Sequence, residues 1–145
     1  MTLTRKQQRQ IEKKHNVTAW VEWVYNVQYF IFWHAKTNNK IREYMESVLD
    51  GDFGGEPLAK NVFVLPEGGG ACMSYVNPTY HRTHVVFQFR DGNGIAHKIA
   101  HEAYHAANHV LGRLGVRCDE AYAYYIEYLV RKIMDDMPKE VEDKQ

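Results

Sequence analysis

Cysteine is scarce in this chain, with only Cys72 and Cys118 among 145 residues. Two thiols cannot build a disulfide scaffold, and with no charged-then-apolar leader ahead of them they are expected to stay free. Charge of one sign is not in surplus either, since 18 Lys and Arg stand against 18 Asp and Glu. Such a balance leaves no strong signal for nucleic acid or an anionic membrane, so only a local patch can serve a partner of that kind. No apolar run reaches the length of a membrane span, and there is no internal repeat or low-complexity tract. What remains is one domain over residues 1–145, long enough for a real core and too short for two of ordinary size. The expected compartment is the cytoplasm, and no membrane partner is expected.

Charge is placed unevenly at the ends. Arg5, Lys6, Arg9, Lys13 and Lys14 crowd the start, and Asp135, Asp136, Glu140, Glu142 and Asp143 crowd the finish. Solvated, flexible termini at about 1–15 and 136–145 account for this, with a partner contact at the N-terminus as the alternative. Residues 17–25 are dense in branched and aromatic types that favour a strand, although a helix can begin there equally well. Over 27–49 the positions Val27, Phe30, Ile31 and His34, then Ile41, Tyr44, Met45 and Val48, follow helical spacing. A Gly-rich loop at 50–57 precedes three strand candidates, 61–65, 71–76 and 84–90, whose succession favours an antiparallel meander. In the last of these, Val85, Phe87 and Phe89 form an apolar face suited to packing under a helix.

That helix is predicted over 93–111, where Ile95, Ile99, Ala103, Ala106 and Val110 make an apolar stripe. Off the stripe it carries His101-Glu102-Ala103-Tyr104-His105, an H-E-x-x-H motif. Two imidazoles four residues apart stand one above the other on a helix and can converge on one zinc ion. The carboxylate between them can take a proton from a water that the metal activates. His97 and His109 extend the ladder, but His101 and His109 are about 12 Å apart along the axis, too far to share an ion. The third His of the metzincin pattern is also missing, because Asn108 and His109 stand where it needs other residues. A third ligand has to come from another element.

Gly112 and Gly115 predict a helix stop, and Asp119 opens a second helix to about Met134, completing a helical hairpin. On that helix Glu120 and Glu127 share a face. Counting back from the turn puts Glu127 opposite the middle of the motif, whereas the local string Asp119-Glu120-Ala121-Tyr122-Ala123-Tyr124 points to Glu120. This string resembles the N-E-A segment that carries the carboxylate ligand of gluzincins, the thermolysin-like zinc peptidases. It is also similar to the E-x-x-A-Y signature that follows H-E-x-x-H in uncharacterised zincin-like proteins of bacteriophages. The resemblance implies a zincin-like α+β fold: a small antiparallel or mixed sheet packed against an N-terminal helix and a C-terminal helical hairpin carrying the metal site. It further implies one Zn²⁺ per chain on His101, His105 and Glu120, with Glu127 as the alternative third ligand, Glu102 as general base, and hydrolysis of a peptide bond. A phage-encoded chain would act in the host cytoplasm.

A peptide or protein substrate can lie along a strand edge beside the metal, and 71–76 is the strand nominated for this by analogy with the fold. Tyr75, His81, His84 and Tyr124 can each donate a hydrogen bond to a developing oxyanion. A chain this short favours narrow specificity. The competing reading is a binding or regulatory protein that keeps the scaffold with little or no catalysis. A third is a metal-free domain in which the His ladder is incidental. Cys118, at the entrance to the second helix, is a further possible zinc ligand, and Trp20, Trp23 and Trp33 read as core, or as partner surface where exposed.

Overall fold

The computed structural model describes residues 6, 9–10, 17–33, 70–76, 83–89 and 95–138. Among them lie four strands, β1 (Val17–Glu22), β2 (Val27–Trp33), β3 (Gly70–Val76) and β4 (Thr83–Phe89). Two long helices follow, α1 (Ile95–Ala107), which continues as a π-helical turn over Asn108–Gly112, and α2 (Asp119–Asp136). Lys6, Arg9 and Gln10 are helical as well. The fold is α+β with a small mixed sheet.

The sheet runs in the order β1-β2-β4-β3. β1 and β2 form an antiparallel hairpin closed by a turn at residues 23–26, where Asn26 takes a left-handed φ of 55° that asparagine tolerates better than a branched residue would. The Glu22 carboxylate accepts the Tyr25 backbone N–H at 2.8 Å and braces that turn. β2 then pairs parallel to β4, and β3 pairs antiparallel to β4 at the sheet edge.

The helical spacing read over 27–49 is overturned for its first seven residues, which form β2 and are all buried. An interior strand covered on both faces shows a near-continuous apolar run rather than alternation, and a run that dense also contains the i, i+3, i+4 matches of a helix. Residues 34–49 and the strand candidate at 61–65 lie outside the described residues. The expected meander is replaced by a mixed arrangement, because the parallel partner of β4 is β2.

Both helices lie on one face of the sheet. Val27, Tyr29, Ile31 and Trp33 of β2 and Val85, Phe87 and Phe89 of β4 share a core with Ile95, Ile99, Ala103, Ala106 and Val110 of α1. Tyr125, Leu129 and Ile133 of α2 complete it. α1 packs over β3 and β4. α2 reaches β1 and β2, where the Tyr125 and Tyr29 hydroxyls hydrogen-bond and Trp20 Nε1 donates to the Tyr128 hydroxyl at 3.1 Å. On the other face of the sheet Phe30, Phe32, His84, Val86 and Gln88 are buried too.

α1 ends as the two glycines predict. Gly115 adopts φ 75°, and the N–H groups of Gly115 and Val116 return to the carbonyls of Gly112 and Leu111 at 3.1 and 2.9 Å, a Schellman closure. The reversal sends α2 back alongside α1. Leu129, fully buried between helices and sheet, reports on this packing. Leu129→Ala is expected to cost about 2–5 kcal/mol in urea unfolding. A cost near that of a surface substitution would show that α2 does not belong to the core.

Candidate metal centre

The apolar stripe of α1 fixes how the helix is turned about its axis, and so decides which motif residues face solvent. Glu102 follows the stripe inward and is 7 % exposed, whereas His101 and His105 point away from it and are exposed. Their Nε2 atoms stand 3.1 Å apart, with the rings edge to face. Two nitrogens held at 2.0–2.1 Å by one tetrahedral zinc are about 3.3–3.4 Å apart, so a shift of a few tenths of an ångström gives a chelating pair. Without a metal, one ring donates its Nε2–H to the other.

Burial pushes the Glu102 carboxyl above its ordinary range, and the two neighbouring imidazoles work against that rise. The same carboxylate adds to the effect of burial on Cys72, whose thiol is held well above its ordinary range. Cys72 comes from the edge strand β3. Glu102 is therefore within electrostatic reach of both the His pair and that edge. Farther along α1, Arg113 Nη2 donates to Ser74 Oγ of β3 at 3.3 Å, tying the end of the helix to the same strand. Strand 71–76, nominated for substrate, is the sheet edge next to the motif helix.

Neither proposed third ligand joins the pair. Among the described residues no three His, Cys, Asp or Glu side chains come together as a metal group. At about 100° per residue, Glu120 and Glu127 fall on the side of α2 roughly opposite Tyr125, Leu129 and Ile133. Both are exposed, and Glu127 is paired with Arg131 at 2.9 Å. Sequence spacing showed that the two glutamates share a face but not where that face would point.

The other histidines separate by position. His97 is exposed. His109, half-buried in the π-helical turn, is held below its ordinary pKa by burial, then by Arg113 and His105. His84 is removed from the oxyanion candidates, because β4 buries it on the sheet face away from the helices, where it stacks on Phe30. Tyr124 is exposed on α2 beside the β1–β2 turn, over the opposite half of the sheet from β3. Tyr75 lies opposite His84 in the strand register; its side chain and His81 lie outside the described residues. Cys72 and Cys118 are both free, and Cys118 enters no metal group.

Two features escaped the sequence reading. The electrostatic interaction of Cys72 with Glu102 depends on which strand lies under α1, which no local pattern records. The buried group of Glu22, Tyr125 and Tyr29 had a faint signal, an acid closing the otherwise apolar strand VTAWVE.

No helix among the described residues is long and apolar enough to cross a membrane. No protein-family model matches the chain, and no curated protein or solved structure matches it significantly.

A raised carboxyl pKa means that the folded chain favours the protonated acid. The contribution of Glu102 to stability is thus fully present below the ordinary carboxylate value of 4.5 and is lost as pH rises through the raised folded value. Glu102→Gln, which carries no charge, is expected to raise the melting temperature of chelator-treated protein at neutral pH. The gain should vanish below pH 4.5. A gain of equal size at both pH values would show that the ionised carboxylate is not what costs stability.

Proposed function

We propose that the chain is a small zinc-dependent metallopeptidase of zincin-like fold. The observation that carries this reading is the 3.1 Å approach of the His101 and His105 Nε2 atoms next to the buried carboxylate of Glu102. That approach supports their serving as two of the three protein ligands of a catalytic zinc site, and their exposure leaves room for a substrate. Zinc, when bound, supplies Lewis acidity that polarises a substrate carbonyl and acidifies a water.

The remaining chemistry belongs to the chain. His101 and His105 would hold the ion. Glu102, electrostatically coupled to both rings and raised by burial, is tuned toward proton transfer nearer neutrality. It takes the proton of the attacking water and returns it to the leaving amine. Among the described residues β3 is an edge strand of the sheet, a place where an extended peptide can align beside the motif. An active centre on one helix face and one strand edge suits a narrow substrate range.

The third ligand is proposed to be Glu120, as the gluzincin resemblance implies, with Glu127 as the alternative. Ligation by either requires α2 to turn from its present setting, and Glu127 must also leave Arg131. The free energy of zinc binding is of a size that reorganises small domains. The lack of a third ligand beside the pair, among the described residues, favours a second reading. In it the scaffold binds a protein partner and turns over little or not at all.

Protein purified without a His tag is expected to contain close to one zinc per chain, and to lose it on His101→Ala. Glu102→Gln should retain the metal while peptide hydrolysis falls by about 10²–10⁴-fold. Zinc well below one equivalent after supplementation would overturn the metal reading. Retained zinc with no hydrolysis by the unaltered chain would favour the binding reading. In metal titrations Glu120→Ala is expected to weaken zinc more than Glu127→Ala does, and equal or absent losses would place the third ligand elsewhere.

A further inference from the structure

Away from the His pair, over β1 and β2, the β1–β2 turn and α2 enclose a groove of about 550 Å³. Its rim is unusually apolar for a surface: Trp23 is 77 % exposed, Val24 83 % and Tyr124 68 %, with Tyr128 beside them. These residues form one patch, and a contiguous exposed patch of this kind marks a binding surface more often than scattered apolar residues do. The floor is different. There the groove reaches Glu22, which is buried, and the ring of Tyr125.

The acid on this floor decides what it can recognise. The Tyr29 and Tyr125 hydroxyls hydrogen-bond to each other, and Tyr125 lines the groove beside Glu22. Burial, reinforced by the charge of Glu22, holds both phenols above their ordinary range, so they stay protonated. A carboxylate has about four lone-pair positions, and here the Tyr25 N–H takes one of them. No Lys, Arg or His among the described residues pairs with Glu22. A partly desolvated carboxylate in a groove lined by Trp and Tyr attracts an ammonium group, by charge and by the cation–π attraction that such rings offer. The neighbouring surface already shows this chemistry, since Lys132 Nζ lies 5.6 Å from the centroid of the Trp20 ring.

We propose that this groove docks a lysine side chain presented by a partner polypeptide. The ammonium sits on Glu22, the alkyl stem lies against Tyr124 and Tyr128, and an apolar neighbour of the lysine covers Trp23 and Val24. Volume favours a polypeptide over a small cation, because about 550 Å³ is far more than one ammonium head occupies. Lysine is favoured over arginine because Glu22 Oε2 already accepts the Tyr25 N–H, which spoils the symmetric pair of oxygens that a guanidinium fork uses. This proposal does not rest on the metal reading.

The test is a titration of the ¹⁵N-labelled full chain, followed by NMR, with the capped peptide Ala-Leu-Lys-Leu-Ala. Perturbations are expected at the Trp23 indole N–H and at the Glu22 and Tyr25 amides. Glu22→Gln should weaken binding at least about tenfold, the scale of a hydrogen bond to a charged group. Trp23→Ala, at an exposed turn position that the fold does not need, should weaken it about threefold. His101→Ala should leave binding unchanged. No perturbation at millimolar peptide would overturn the proposal. So would equal binding of a norleucine-substituted peptide, tighter binding of an arginine-substituted one, tetramethylammonium binding as tightly as the peptide, or loss of binding in His101→Ala.

Discussion

The rotation of α1 about its own axis is the constraint from which the candidate centre follows. Ile95, Ile99, Ala103, Ala106 and Val110 seat the helix on Val85, Phe87 and Phe89, and burial of those side chains leaves only one setting. Once that stripe faces the sheet, geometry does the rest. Residues 101 and 105 emerge together into solvent, and 102 turns toward the edge strand. The hydrophobic effect thus positions polar chemistry it does not contact. The small alanines of the stripe let the helix backbone lie close to the sheet, which brings Glu102 near Cys72 of β3.

α2 obeys the same logic with the opposite result for its acids. Tyr125, Leu129 and Ile133 commit one side of the helix to the core, and Glu120 and Glu127 are carried to the outside. The hairpin therefore has a settled core and an unsettled relation between its two polar surfaces. Glu22 stands apart from these. It is a buried acid retained at the end of a strand, where it braces a turn and is wrapped by tyrosines. Both buried acids, Glu102 and Glu22, lie beside exposed residues at the rim of the core. There each carboxyl is withdrawn from bulk water yet stays beside surface that a ligand can reach.

Much of this was legible in the residues. The stripe on α1, the glycine stop and the start of α2 at Asp119 were all written in local periodicity and turn chemistry, and each appears where spacing puts it. The strand 84–90 was readable because its apolar residues alternate, and it runs as Thr83–Phe89. β2 was misread because VQYFIFW is buried on both faces, and a near-continuous apolar run matches helical spacing as readily as that of a strand. His84 was read as a donor near the site because a strand's alternation does not say which face the helices will cover.

The sequence alone determined that two imidazoles and a carboxylate share one helix at a spacing that lets the rings converge. That is a property of the α-helix itself, four residues bringing side chains to adjacent turns of one face. It also determined that an acid-bearing helix follows within a short connection. Only the tertiary structure decided that Glu102 is buried against the edge strand while the His pair is open to solvent. It also decided that β3 is the edge beside them, and that Glu120 and Glu127 face outward. Those outcomes depend on how each helix is rotated against a sheet assembled from distant segments. That rotation is set by the sum of many apolar contacts, not by any residue of the motif.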